Sequence, residues 1–343
     1  MKNKTNVTQI STDKALNSPS EPVAPIRFID LFCGIGGFHI GVTQAALSLD
    51  KSAECVWACD IDRWARECYA ENFSLGPVGD ITQINEQDIP DHDLLCAGFP
   101  CQAFSVFGKM RGFADTRGTL FFDIARILKA KRPALFILEN VKQLITHHQG
   151  ETIAVILDTL RSLDYAVEYR ALDARDFGLP QKRERVIFVG RRNDLVSDSE
   201  EHRFQWPEVS PPMRTLSDLL ETQAPEKYYA SERIRASRKA SVKRDGNQDS
   251  APQIYHENKS GHVSAYPFAC ALRSGSSHNY LLVNGERRLT ERELLRLQGF
   301  PDSFRVTSSY TQTRRQTGNA VPAPMIQAVA TELLRDFKPT KKA

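Results

Sequence analysis

The sequence predicts an α/β fold, a doubly wound and mostly parallel sheet followed by a smaller irregular domain. Apolar runs at IRFIDLF (26–32), ECVWAC (54–59), DLLCAG (93–98), ALFIL (134–138), YAVEYRAL (165–172) and RVIFVG (185–190) alternate with helical-period segments near 38–49, 62–73, 119–130 and 150–163. Nearly continuous apolar strands separated by helices are what a sheet covered on both faces requires. The rhythm stops near residue 192, and the stretch 193–285 is richer in Pro, Ser, Arg and Tyr without it. Helical periodicity then returns.

Each element has a local cause. The first strand ends in DLFCGIGG, a glycine-rich turn that opens a helix. TERELLRLQ begins with Thr290 and Glu293 at capping-box spacing, which predicts a helix start there. The last segment, QTGNAVPAPMIQAVATELL, is helical in period. Alone it could not bury its apolar side, so it is expected to fold back onto the first domain. The division is then a tail over 1–24, a first domain over 25–192 plus 314–343, and a second domain with its hinge over 193–313.

Composition bounds the class. The chain has 343 residues, 41% hydrophobic and 25% charged, enough to bury a full core. The first 24 residues are polar without an apolar targeting core, and no run approaches the roughly 18 apolar residues of a membrane span. Seven cysteines, an odd number with no C-x-x-C pair, argue against a disulfide framework and a zinc ribbon. Reduced thiols imply a cytoplasmic protein, and no metal is expected. The net charge of +3 diagnoses nothing alone, but 226–244 carries seven Lys/Arg against two Glu. Such a stretch suits phosphate contacts.

Three clusters carry chemistry. In the glycine turn, Gly34, Gly36 and Gly37 do not make G-x-G-x-x-G, which favours an adenosine-bearing cofactor other than a dinucleotide. Asp60 ends the second strand where a carboxylate can take ribose hydroxyls, and Asp80 in GDITQI could accept from an adenine amino group. In GFPCQ, Pro100 fixes the backbone just before Cys101, so the thiol is aimed. Glu139 and Asn140 end an apolar strand, where open sheets present catalytic groups. Arg183 and Arg185, two apart on an incipient strand, project from one face and could orient a carboxylate or hold an anion. The loop 102–118, before the helix start at Gly118-Thr119, reads as mobile.

These motifs together resemble the cytosine-5 DNA methyltransferases of bacterial restriction-modification systems. FIDLFCGIGG, DIDRWA, GDITQI, GFPCQAFS, RGTLFFDIARIL, ENVKQL, QKRERVIFVG, RLTERELLRLQGFPDSF and QTGNAVP follow the family's order from residue 28 to about 330. The resemblance implies a Rossmann-like methyltransferase fold with 193–285 as target-recognition region. It implies S-adenosylmethionine held by Phe32, Gly34, Ile35, Gly36, Gly37, Asp60, Ile61, Asp80, Ile81, Pro100, Leu120, Asn319 and Ala320. Cys101 would be the nucleophile and Glu139 the proton manager, with Arg183 and Arg185 beside them. Gln102, Ser105, Phe107, Arg117, Thr119, Asn140 and Arg273 would meet the DNA, Arg273 as a base reader because Arg paired to guanine is the commonest specific contact. Two positions depart from the pattern: Ile61 stands where a large aromatic residue often faces adenine, and Phe107 where small polar residues occur.

The implied partner is double-stranded DNA, with functional pairing to a restriction endonuclease, and the protein would act as a monomer. Other classes stay open at this point. A nicotinamide-dependent reductase would share the sheet and Asp60 but has no use for a Pro-Cys nucleophile. A tRNA cytosine-5 methyltransferase shares the chemistry, and the long basic insertion favours duplex DNA over it. A catalytically silent DNA-binding protein would be expected to lack Cys101 or Glu139.

Overall fold

The computed structural model describes residues 24–100, 120–196, 204–208, 211–242 and 251–339. Cys101, Gln102, Ser105, Phe107, Arg117, Thr119, Lys243 and the tail before residue 24 lie outside them. The first part of the chain runs β1 (Ile26–Leu31), α1 (Gly37–Ser48), β2 (Ala53–Cys59), α2 (Arg63–Phe73), β3 (Leu94–Gly98), α3 (Leu120–Lys131), β4 (Leu135–Val141), α4 (Glu151–Ser162), β5 (Tyr165–Asp173), β6 (Gln181–Lys182) and β7 (Glu184–Arg192). Next come α5 (Glu232–Ser241), β8 (Ile254–Glu257), β9 (Val263–Tyr266), β10 (Ala269–Cys270), β11 (Leu281–Val283), α6 (Glu291–Leu297), α7 (Tyr310–Asn319) and α8 (Ala323–Leu334).

Among the described residues, six strands form the main sheet in the order β2-β1-β3-β4-β7-β5. β2, β1, β3 and β4 pair in parallel, whereas β7 runs antiparallel to both β4 and β5. The expected mostly parallel sheet thus has one reversed strand. Residue alternation is the same in either direction, so the apolar pattern carried no trace of the reversal.

Alternation along each strand divides the core. Phe28, Cys96, Ile137 and Ile187 pack with α1 and α8 on one face, while Leu31, Leu95, Leu138 and Phe188 pack with α3 and α4 on the other. The last helix therefore lies on the first domain's sheet and against α1. The approach is close because Gly41 lacks a side chain: a Cβ there would sit 2.7 Å from that of Ile326. Glu139, near the carboxyl end of β4, continues the row of Leu135 and Ile137 and so emerges on the face covered by α1 and α8.

The second region builds its own core. β11, β8 and β9 form a small antiparallel sheet, and Leu216, Ile254, Leu272, Leu281, Leu289, Leu294 and Leu297 pack around it. α6 starts at the capping box read from the sequence, Thr290 with Glu293. Glu293 is wholly buried and paired with Arg287 at 2.8 Å. On α5 the basic charge is partly consumed in place, since Arg238 pairs with Glu257 and Lys239 with Glu286. No helix among the described residues is long and apolar enough to cross a membrane.

Candidate active site

A cleft of about 510 Å³ opens at the carboxyl ends of β1, β2, β3 and β4. Its walls bring together Phe32, Gly34, Gly37, Asp60, Ile61, Asp80, Ile81, Pro100, Leu120, Asn319 and Ala320, and also Glu139, Asn140, Arg183 and Arg185. Residues spread over nearly the whole chain thus line one cavity.

The cofactor side is shaped by the backbone. Phe32 turns the chain out of β1 with φ of 56°, a conformation that is uncommon for a bulky residue and concentrates at functional sites. Gly34 follows with φ of 54°, and a Cβ there would meet nothing within 4 Å, so its backbone faces open space. Asp60 ties this turn to the next one: Oδ2 accepts from the Gly34 amide and Oδ1 from the Asp62 amide, both at 2.8 Å. Burial pushes the Asp60 carboxyl up, and those two amides pull against it. Asp80 caps the short turn Ile81–Gln83, accepting from the Thr82 amide and hydroxyl.

Ile61 is 75% exposed on the cleft wall, which leaves its apolar side chain free to pack against a ring bound there. Together the open glycine backbone, two carboxylates with spare lone pairs and an uncovered apolar side chain fit the ribose, amine and ring of an adenosine-bearing cofactor. Two expected contacts stand elsewhere. Ile35 is buried beside Leu295 and Phe300. Gly36, absent from the cleft wall, leaves room for Phe73, whose ring carbon lies 2.2 Å from where a Cβ would be. Both serve the packing of the turn.

At the other end of the cleft, Gly98 of β3 is the register partner of Glu139 on β4. The chain leaves β3 there, through Phe99 and Pro100, toward Cys101. Asn140 fixes this exit: its Nδ2 donates to the Phe99 carbonyl at 2.9 Å, and its Oδ1 accepts from the Val141 amide at 2.8 Å. Its side chain was expected to meet DNA; here it braces the turn. Glu139 Oε1 lies 2.7 Å from Arg185 Nε. Burial pushes the Glu139 carboxyl up, while Arg185 and then Arg183 hold it back. A carboxyl raised by burial beside a hydrogen-bonding cation is suited to hold and release a proton.

Arg183 differs from the reading of two arginines on one face. β6 and β7 break at residue 183, and its buried guanidinium donates to the carbonyls of Leu272 (2.9 Å), Gly318 (2.9 Å) and Ala320 (2.7 Å). It is occupied by backbone rather than by the Glu139 carboxylate. Arg273 is half-buried outside the cleft wall, donating toward His256 Nε2 at 2.9 Å and lying 5.3 Å from the Tyr280 ring centroid. Residues missed in the sequence also line the cleft, among them Phe38, Ser274, Arg315 and Val321. Arg315 and Ser274 had a signal in their proximity to QTGN and to Arg273.

Six of the seven cysteines are described, and all have thiols pushed up by burial: Cys55 and Cys59 to about 12, Cys33 and Cys96 strongly, Cys68 and Cys270 less. None is an activated nucleophile. No cluster of His, Cys, Asp and Glu able to hold a metal occurs among the described residues.

The family model of the C-5 cytosine-specific DNA methylase matches residues 26–335. Type II methyltransferase M.NgoBI of Neisseria gonorrhoeae is 48% identical over 304 residues, spanning 88% of this chain and 91% of its own. M.HaeII of Haemophilus aegyptius is 47% identical over 313 residues, spanning 91% and 93%. M.HhaI of Haemophilus parahaemolyticus is 39% identical over 329 residues, spanning 92% and 96%. Among solved structures, the S. pombe Dnmt2 methyltransferase has a TM-score of 0.65 at 21% identity over 91% of this chain and 100% of its own, a likeness of fold. With a glycine turn, a Glu-Arg pair and Pro100 around one cleft, and with that match over most of its length, the chain belongs to the C-5 cytosine-specific DNA methylase family.

Proposed function

We propose that this protein transfers a methyl group from S-adenosylmethionine to carbon 5 of a cytosine within a short specific sequence of duplex DNA, as the modification partner of a restriction endonuclease. The observation that carries the reading is the convergence of Gly98, Glu139 and Arg185 at the point where the chain leaves β3 toward Pro100 and Cys101, beside a cleft fitted to adenosine.

The proposed chemistry follows from what each residue can supply. Cytosine carbon 5 is too weak a nucleophile to be methylated directly, and a thiolate adding to carbon 6 makes it enamine-like. With the described thiols all held up by burial, Cys101 is the nucleophile of this reading. Its sulfur bonds carbon 6 as the 5,6 double bond opens toward the ring, and Glu139 gives its proton to ring nitrogen 3. Arg185 holds the Glu139 carboxyl in place and stabilises it when the proton has left. When bound, S-adenosylmethionine supplies an electrophilic methyl on a sulfonium and departs as a neutral thioether. A base then removes the carbon 5 proton, the sulfur–carbon bond breaks, and Glu139 recovers the proton from nitrogen 3. The target must leave the helix to reach this pocket, at a cost of roughly a few kcal/mol of stacking and pairing.

Asp60 and Asp80 would bind the ribose hydroxyls and adenine amine, with Ile61 against the ring. Arg273 would read a base edge. The deciding experiment is transfer of tritiated methyl to duplex DNA and to tRNA, with the modified base mapped. Label at carbon 5 of cytosine in one DNA sequence context is the expected result; label confined to tRNA would reject the reading.

A further inference from the structure

Gln181, Arg183 and Gln298 are each at most 1% exposed, and together they fasten four separate pieces of the chain. Leu272 has both backbone polar groups taken by side chains of β6 and of the residue that follows it. Its amide donates to Gln181 Oε1 at 3.0 Å, and its carbonyl accepts from Arg183 Nη1 at 2.9 Å. Gln181 Nε2 also donates to the Leu297 carbonyl at 2.8 Å, and Gln298 Nε2 donates to the Thr317 carbonyl at 2.5 Å. The second guanidinium nitrogen of Arg183 donates to Gly318 and Ala320, the residues on either side of Asn319. The joined segments also touch directly, because a Cβ at Gly318 would lie 2.5 Å from the Ser274 nitrogen.

The clasp therefore ties the wall of the cleft, at Asn319, Ala320 and Ser274, to the segment that presents Arg273. A planar guanidinium with three backbone acceptors is a rigid connector, and either segment can shift only by leaving a buried polar group unpaired. We infer that Arg183 is a positioning residue through which the cofactor cleft and the DNA-recognition segment are coupled, so that each ligand tightens the binding of the other. Such coupling is reciprocal by linkage. The inference rests on the reading above of which ligand occupies which place.

The test uses S-adenosylhomocysteine, which cannot donate a methyl, and the duplex whose methylated site the transfer assay has mapped. Calorimetry gives the dissociation constant of the small ligand with and without saturating duplex. In the wild type the duplex should tighten binding about fivefold or more. R183K keeps the charge but loses the fork, and should reduce that factor below about twofold while each ligand alone binds within about threefold of wild type. T290A, which removes the α6 cap without touching the clasp, is the control for lost stability. If R183K does not fold, Q181M carries the same expectation. Absence of coupling in the wild type, wild-type coupling in the clasp variants, or equal loss in T290A would overturn the inference. Failure of the underlying reading would show separately, as wild-type protein that methylates no DNA.

Discussion

Arg185 Nε lies 2.7 Å from Glu139 Oε1 on the sheet face covered by α1 and α8. Burial raises the Glu139 carboxyl, and the guanidinium opposes that rise. If protonated Glu139 is the working form, activity falls as pH climbs through its pKa. Removing the cation raises that pKa further. R185M should therefore move the alkaline limb of single-turnover methyl transfer upward, by roughly one pH unit, besides slowing the reaction. An alkaline limb that stays put or moves down would detach Arg185 from the proton at Glu139.

Asn140 holds the Phe99 carbonyl just before the Pro-Cys step. N140A should lower the single-turnover rate by about 10²-fold, the scale of a small misplacement of a reacting group. S-adenosylhomocysteine binding should be nearly unchanged, because the Asp60 side of the cleft is not touched. A loss confined to DNA affinity would instead support the direct DNA contact first expected for this residue.

Asp60 accepts two backbone amides and faces the cofactor cleft. D60A removes an acceptor for the ligand and frees the Gly34 amide. Cofactor affinity by calorimetry should fall by about 10- to 100-fold, as expected for roughly 1.5–3 kcal/mol of hydrogen bonding to a charged group. Circular dichroism should show the fold intact. Unchanged affinity in a folded variant would remove Asp60 from the site.

Asp30, on β1, is fully buried. Burial, reinforced by Asp60, raises its pKa well above 3.8. The folded chain thus binds this proton more tightly than the unfolded chain. Its contribution to stability is fully present below about 3.8 and declines as pH rises through the folded value. D30N lacks that decline, so its melting temperature relative to wild type should improve as pH rises above about 4, levelling off above the folded pKa, by something on the order of 2–4 °C per kcal/mol recovered. A melting-temperature difference independent of pH above about 4 would mean that Asp30 carries no such raised pKa.

The strands were legible because a buried β-strand writes itself as a short apolar run: DLLCAG became Leu94–Gly98 and RVIFVG became the middle of Glu184–Arg192. Glu139 falls near the carboxyl end of β4, directly after the apolar run, and the strand runs on to Val141. Two things were not legible. The reversal of β7 depends on how the chain returns after β5, to which residue alternation is blind. The role of Arg183 depends on carbonyls 89, 135 and 137 residues away, so its two-residue spacing from Arg185 suggested a shared task that the break at residue 183 prevents. Asp30 was hidden among the apolar residues of FIDLF for the same reason: burial around a carboxylate is a property of the packed sheet.

In the proposed reaction Cys101 attacks carbon 6 and is released only when carbon 5 loses its proton. A cognate duplex carrying 5-fluorocytosine offers no such proton. With S-adenosylmethionine present it should trap the enzyme after methyl transfer in a denaturation-resistant adduct, located by mass spectrometry of the digest. Attachment at Cys101 is expected, with none in C101S because a hydroxyl is too poor a nucleophile at neutral pH, and formation slowed about 10²- to 10⁴-fold in E139Q. Attachment at Cys33 or another cysteine, or an undiminished adduct with C101S, would contradict it.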